Sequence, residues 1–140
     1  RTARWEMMMA STEGALAFVK GLGAVHSMSH AAGRLKELRL HHGTLNAVIL
    51  PTVLRFNEST CSDTYRRLRQ AMGLPPNADL ASEIEQLNAD IGLPGSLSEM
   101  GLSEDLIEDM VPHAVSDLAT MTNPKKVRAE DYVELYKLAM

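Results

Sequence analysis

The chain has 140 residues, of which 14 are Lys or Arg and 18 are Asp or Glu, and its net charge is −4 at pH 7. This length suits one domain with a sizeable core, and the single cysteine, Cys61, excludes an internal disulfide framework. Residues 70–124 carry ten acidic residues and no Lys or Arg, which argues against nucleic acid as a partner. The longest apolar run, residues 14–28, contains Lys20 and His26 and is too short and too polar to cross a membrane.

The amino-acid composition favours helices over strands. Aromatic residues make up only 4% of the chain, Met occurs nine times, and Ala and Leu are abundant, whereas strands prefer aromatic and β-branched residues. No segment alternates clearly between apolar and polar residues, as a half-buried strand does. We therefore predict an all-α fold, a single helical bundle over residues 1–140.

The first predicted helix runs from about Ala3 to about Ala31, and Gly33 ends it. Small residues recur along it at spacings of four and three, a pattern that lets another helix approach closely. They are Ala10, Gly14, Ala17, Gly21 and Ala24. The helical pattern is already present at residue 3 without a capping residue, and the first residue is not Met. We expect the chain to be a piece of a longer protein.

Two further helices are predicted after a basic connecting segment. The first is apolar and covers residues 44–57, and Pro51 is expected to kink or split it. The second covers residues 59–73 and opens with two candidate caps, Ser59 and Thr60.

The second half of the chain repeats this pattern of helices between turns. Residues 77–92 place apolar side chains at helical spacing, at positions 80, 84, 87 and 91. Ser103 is predicted to start another helix, which Pro112 kinks or breaks. A loop then leads into a final helix that begins at about Ala129.

Two histidines lie four positions apart in the segment "GAVHSMSH". His26 and His30 would share one face of a helix. Imidazole titrates near neutral pH and is a common metal ligand, but histidines bonded to backbone or water are more frequent at this spacing. The spacing alone leaves both interpretations open, a structural pair and part of a metal or catalytic site.

A second histidine pair, His41 and His42, immediately precedes Gly43 and an apolar helix. A side chain at such a junction can be directed back towards the helix that carries His26. Two histidines from separate elements can form half of a metal site, since three or four protein ligands are usual. The remaining ligands would have to come from elsewhere.

Longer motifs around these histidines resemble a known family. The runs "GLGAVHSMSHAAG" and "HHGTLNAVILPTVLRFN", followed by "TNPKK" and "AEDY" in the same order, are similar to the C-terminal, metal-binding helical portion of the iron-containing (group III) alcohol dehydrogenases. The resemblance covers nearly the whole chain, from about residue 10 to the end. It implies the helical C-terminal domain of a dehydroquinate synthase-like fold.

The resemblance also implies roles for three histidines. His26 and His42 correspond to two metal ligands, and His30 corresponds to an active-site histidine that helps proton transfer without binding the metal. His41 competes with His42 for the ligand position, and we prefer His42 because it directly precedes the glycine. The other two ligands of the family, an aspartate and a histidine, lie upstream of this chain.

The activity implied is hydride transfer between an alcohol or aldehyde and NAD or NADP. A divalent metal, Fe²⁺ or alternatively Zn²⁺, would serve as Lewis acid, and an upstream nucleotide-binding domain would hold the cofactor. The resemblance further implies a homo-oligomer, a dimer. The single cysteine fits a reducing cytoplasm. Because the cofactor domain and half of the metal ligands are missing, we expect the fragment to be inactive alone. The chain departs from the family at Phe18-Val19, at Ala31-Ala32 and at His41, and we expect a different pocket wall.

Other candidate residues favour structural interpretations. We interpret His113 as a surface histidine and Cys61 as a plain thiol. The basic residues Arg34, Lys36 and Arg39 are interpreted as part of a solvated loop. Residues 7–9, all Met, are interpreted as core filling or as a contact with a missing portion of the protein. The alternative to the enzyme is a non-catalytic helical interaction module. In that case the histidines would pack, or bind a metal weakly.

Overall fold

The computed structural model describes residues 1–140 and contains six α-helices and no β-strand, which confirms the predicted all-α fold. The helices are α1 (Thr2–Leu16), α2 (Gly23–Ala32), α3 (His42–Ala71), α4 (Leu80–Asp90), α5 (Ile107–Ser116) and α6 (Ala129–Ala139). Short 3-10 turns cover Ala17–Lys20, Lys36–Leu38, Glu104–Leu106 and Leu118–Thr122. None of the helices has the length and apolar character that crossing a membrane requires.

Helix α2 lies at the centre of the hydrophobic core. Seven of its ten residues are buried, and its Met28 is fully buried together with large side chains from α3, α5 and α6, namely Leu45, Ile49, Met110, Tyr132 and Tyr136. The hydroxyl of Tyr136 donates to the carbonyl oxygen of Met28 at 2.8 Å. The helix that carries His26 and His30 is therefore held on several sides.

The prediction of one continuous helix from residue 3 to residue 31 is wrong. The chain breaks between α1 and α2 at Gly21, whose φ of 92° and ψ of 167° are not helical. This positive φ favours glycine, and a Cβ atom on Gly21 would lie 2.3 Å from the Cβ of Thr122. Thr122, about a hundred residues later in the chain, lies against Gly21 at this break.

Helix α1 has no buried residue. The predicted stripe of small residues therefore does not receive another helix along α1, and no atom lies within 4 Å of the position that a Cβ on Gly14 would occupy. Trp5 and the three methionines at positions 7–9 are exposed, so the methionines do not fill the core. Only Ala24 of the stripe is buried, and it belongs to α2.

Residues 42–71 form one helix of 30 residues, α3, instead of the two predicted helices. Pro51 lies inside it and has no N–H to donate to the carbonyl oxygen of Ala47, one turn earlier. The side-chain amide of Asn88 in α4 donates to that oxygen at 2.8 Å instead. The acceptor left by Pro51 is thus satisfied by a neighbouring helix, and the helix continues.

The predicted caps at Ser59 and Thr60 are also wrong, since both residues lie inside α3. The Thr60 hydroxyl donates to the carbonyl oxygen of Asn57 at 2.8 Å, a bond to the preceding turn that a threonine within a helix commonly makes. No helix end is needed there.

The remaining helices largely follow the predictions. Asp79 caps α4 by accepting from Ala81 N at 2.9 Å, although Leu87 and Ile91 of its predicted apolar set are exposed. Ser103 precedes the 3-10 turn that leads into α5, and Pro112 lies inside α5 without breaking it. Helix α6 begins at Ala129 as predicted.

Candidate metal centre

Three histidine rings from two helices form one cluster. His26 and His30 project from α2, and His42 is the first residue of α3. The ring centroid of His42 lies 5.3 Å from that of His26 and 5.2 Å from that of His30, and the His26 and His30 centroids are 5.7 Å apart. The structure thus brings together the three histidines that the sequence singled out.

The position of α2 is fixed at its first turn by residues from the far end of the chain. The hydroxyl oxygen of Thr122 accepts from the backbone N–H groups of Leu22 at 3.2 Å and Gly23 at 3.4 Å. The side-chain oxygen of Asn123 accepts from Ala24 N at 3.1 Å. These side chains cap a helix that has no cap of its own, and the "TNPKK" motif therefore helps to place His26.

Helix α3 begins at the second histidine pair, and the two members of the pair differ in position. The Nδ1 atom of His41 accepts from Thr44 N at 3.3 Å, so this ring caps the helix. Gly43 leaves space for it, because a Cβ there would lie 3.1 Å from Cε1 of His41. The His42 ring, one residue later, faces α2 and joins the cluster.

The side-chain amide of Asn46 connects the two rings that the resemblance assigns to metal binding. Its Nδ2 lies 3.1 Å from Nε2 of His42 and 3.4 Å from Nε2 of His26. Its Oδ1 is buried and has no hydrogen-bond partner. Asn46 is not among the residues predicted from the sequence, although its position one helical turn after His42 places both residues on one face of α3.

The surroundings of His26 and His42 favour the neutral form of both rings. Partial desolvation lowers the pKa of His26 below its ordinary value of 6.5, and the neighbouring His42 and His30 rings lower it further. Partial desolvation also lowers the pKa of His42, with additional contributions from His30 and His41. A neutral imidazole has the free lone pair that metal binding requires.

His30 has a different partner from the other two rings. Its Nδ1 lies 2.9 Å from Oδ2 of Asp117, at the end of α5. The other oxygen of Asp117, Oδ1, accepts from Ala119 N at 2.8 Å, which fixes the carboxylate in place. The sequence analysis missed Asp117, which lies 87 residues from His30 in the chain.

The cluster fits a metal site to which this chain contributes two imidazoles. A metal ligand needs a lone pair directed at the ion, and Nε2 of His26 and Nε2 of His42 both face one shared point, the side-chain amide nitrogen of Asn46. No cluster of three or more His, Cys, Asp or Glu side chains in the 140 residues could hold an ion by itself. Further ligands are needed, because three or four are usual.

The remaining candidates lie outside this cluster. Cys61 is buried beside Tyr65 and Leu80 in a small separate group. His113 is exposed on α5, and the basic side chains between the histidine segments, Arg34, Lys36 and Arg39, are exposed as well.

A sequence model of the "Fe-containing alcohol dehydrogenase family, C-terminal" matches residues 1–140. Among curated proteins, the 4-hydroxybutyrate dehydrogenase of Cupriavidus necator is 46% identical over 147 aligned residues, which cover 100% of this chain and 38% of that protein. The NAD-dependent methanol dehydrogenase of Bacillus methanolicus is 31% identical, with 99% of this chain and 38% of that protein covered. The chain therefore spans little more than a third of the length of these relatives.

The fold has matching neighbours among solved structures. A crystal structure of a 1,3-propanediol oxidoreductase superposes with a TM-score of 0.78 and 29% sequence identity, covering 85% of this chain and 33% of that one. The similarity therefore extends from sequence to the arrangement of the helices.

Proposed function

The chain belongs to the Fe-containing alcohol dehydrogenase family, whose C-terminal part it matches over residues 1–140, and from this we propose that it supplies half of the metal site of an NAD- or NADP-dependent alcohol dehydrogenase. The substrates would be small alcohols and the corresponding aldehydes or ketones. The nucleotide-binding domain and the other two metal ligands would belong to the preceding part of a longer protein. Residues 1–140 alone would be inactive.

The observation that carries this proposal is the convergence of two Nε2 atoms from different helices. Those of His26 and His42 lie 3.4 and 3.1 Å from the same amide nitrogen of Asn46. The surroundings of both rings lower their pKa values and so favour the neutral form that a metal ligand requires. We assign these two histidines as metal ligands.

A divalent metal bound there, Fe²⁺ or alternatively Zn²⁺, would supply Lewis-acid activation of the alcohol or carbonyl oxygen. The protein's own contribution is orientation of the reactants and control of protons. His30 stacks on the His42 ring with an interplanar angle of 13° and is exposed at its outer side. These features support our proposal that His30 passes a proton between the reacting oxygen and solvent.

Asp117 orients His30 in this proposal. Its Oδ2 accepts from the Nδ1–H of the His30 ring at 2.9 Å, which leaves Nε2 of His30 for the proton that is transferred. Phe18 lies at the edge of the cluster, with its ring centroid 6.3 Å from that of His26, and we propose that it forms part of the substrate pocket wall. We also propose that the longer protein acts in the cytoplasm as a homo-oligomer, a dimer.

Metal analysis of the longer protein tests the ligand assignments. His26→Ala and His42→Ala should each abolish stoichiometric metal binding, whereas His113→Ala, which removes an exposed histidine outside the cluster, should retain it. Reduction of NAD⁺ or NADP⁺ with a panel of small alcohols tests the activity. Full metal content in both ligand variants, or no hydride transfer with any alcohol of the panel, would favour the non-catalytic helical module.

A further inference from the structure

Ser29 is a fully buried residue that contacts both proposed metal ligands. It lies on α2 between His26 and His30 and has 0% exposure. Its hydroxyl oxygen is 3.2 Å from the carbonyl oxygen of His26 and 3.3 Å from Nδ1 of His42. One small side chain thus connects the helix that carries the first ligand to the ring of the second.

The direction of these hydrogen bonds follows from the number of protons available. A serine hydroxyl has one proton to donate, and a carbonyl oxygen can only accept. The Ser29 proton therefore goes to the carbonyl oxygen of His26. The second contact requires the hydroxyl oxygen to accept, so Nδ1 of His42 must carry the proton.

The contact of Asn46 on the other side of the His42 ring is consistent with the same tautomer. An amide nitrogen donates and does not accept, and Nδ2 of Asn46 lies 3.1 Å from Nε2 of His42. With the amide in this orientation, Nε2 accepts and presents its lone pair to Asn46. A neutral ring carries its single proton on the other nitrogen, Nδ1, which faces Ser29.

We propose that Ser29 is a positioning residue, whose hydroxyl holds His42 in the tautomer and orientation that leave Nε2 free for a metal ion. This inference rests on the proposed function, because it concerns the same metal site. Groups that accept the second N–H of a metal-binding histidine fix the ring and raise its affinity for the ion. Ser29 fills this position for His42, and its bond to the His26 carbonyl couples the placement of the two ligands.

The metal affinity of the longer protein tests the proposal directly. The metal-depleted protein is titrated with Zn²⁺ in competition with a chelator of known affinity. Ser29→Ala removes the acceptor for Nδ1 and should weaken Zn²⁺ binding about 10- to 100-fold. An unchanged dissociation constant in Ser29→Ala would overturn the positioning role.

Ser27→Ala is the matched control on the same helix. Ser27 is also 0% exposed, but its hydroxyl donates to the carbonyl oxygen of Gly23 and accepts from Thr120, with no contact to an imidazole. It should therefore leave the Zn²⁺ dissociation constant unchanged. An equal loss of affinity in both variants would mean that any buried hydroxyl on α2 has this effect, which would overturn the specific role of Ser29.

Nitrogen NMR of the unsubstituted, metal-depleted protein supplies a measurement that does not depend on a variant's folding. With ¹⁵N-labelled histidine, His42 should show a protonated Nδ1 and an unprotonated Nε2, whereas a protonated Nε2 would contradict the proposal.

The His42→Ala variant separates this inference from the proposed function. If it retains Zn²⁺ binding, the ligand assignment itself fails. If it loses binding while Ser29→Ala keeps full affinity, only the role of Ser29 fails.

Discussion

The side-chain amide of Asn88 donates to the carbonyl oxygen of Ala47 at 2.8 Å and thereby replaces the backbone bond that Pro51 cannot make. Proline inside a helix removes one donor and leaves one acceptor unpaired. Here the acceptor lies between α3 and α4, and Asn88 itself is only 8% exposed. The contact allows α3 to continue past Pro51 and attaches α4 to it at the same point.

We expect Asn88→Ala to destabilise the protein by about 1–3 kcal/mol, because a buried carbonyl oxygen loses its partner. Thermal or denaturant unfolding measures the loss. The same substitution is also made in a Pro51→Ala background, where the new backbone N–H at position 51 can donate to the carbonyl oxygen of Ala47. Asn88→Ala should therefore cause a smaller loss of stability in that background. Equal costs in the two backgrounds would show that Asn88 does not compensate for the proline.

Removal of His30 should lower turnover without removing the metal. Loss of a general acid or base costs about 100-fold or more in rate, and His30 is not one of the proposed ligands. Asp117→Asn should lower turnover less, because it keeps an oxygen for Ala119 N and changes only the group facing His30. In the His30→Ala background, Asp117→Asn should have no further effect on turnover.

Metal content and turnover are measured on the same samples of the longer protein. The exposed Asp109 on α5 provides the control, and Asp109→Asn should leave both quantities unchanged. A loss of metal in His30→Ala would make His30 a ligand and would remove the distinction between the three rings.

The metal-free protein should lose stability as the pH falls below about 6.5, the ordinary pKa of histidine. The folded-state pKa values of His26 and His42 are lowered from 6.5, so in the window below 6.5 the unfolded chain binds more protons than the folded one. The free energy of unfolding therefore rises with pH across this window and falls on acidification. Once the pH is below the lowered pKa values of the folded state, His26 and His42 cause no further loss of stability.

Unfolding of the metal-depleted protein between pH 5 and pH 8 tests this linkage. His26→Gln and His42→Gln should each reduce the slope of stability against pH. A slope that neither substitution changes would show that the pKa values of His26 and His42 are not lowered in the folded protein.

The sequence predicts the members of the candidate site better than their partners. His26 and His30 share a face by their spacing alone, and the family resemblance connects them to His42. Asp117 and Ser29 could not be identified in the same way. Asp117 meets His30 across 87 residues of chain, and a serine inside an apolar helix has no pattern that distinguishes a bridging hydroxyl from core filling.

The errors in the predicted fold have the same origin in long-range contacts. Proline at position 51 favours an interruption of the helix. Glycine at position 21 has no such preference, because it tolerates many backbone conformations. Asn88 overrides the preference of Pro51, so the predicted split disappears. Gly21 adopts a non-helical conformation where it lies against Thr122, and a break appears where an uninterrupted helix was expected. Local patterns therefore locate most helices but do not decide where these two interruptions fall.

The contrast between two glycines tests this explanation of the break. Gly21→Ala should destabilise the protein by about 1–3 kcal/mol from its positive φ alone, and the Cβ atom would also displace Thr122, which caps α2. Gly14→Ala adds a Cβ atom to exposed helix α1, where nothing lies within 4 Å, and should stabilise the helix by about 1 kcal/mol.

Thermal unfolding and metal content are measured for both variants. We expect Gly21→Ala to lower both, because displacement of the Thr122 cap moves the turn that precedes His26, and Gly14→Ala to leave the metal content unchanged. If Gly21→Ala retained the stability and metal content of the unsubstituted protein, the break would not depend on glycine at this position.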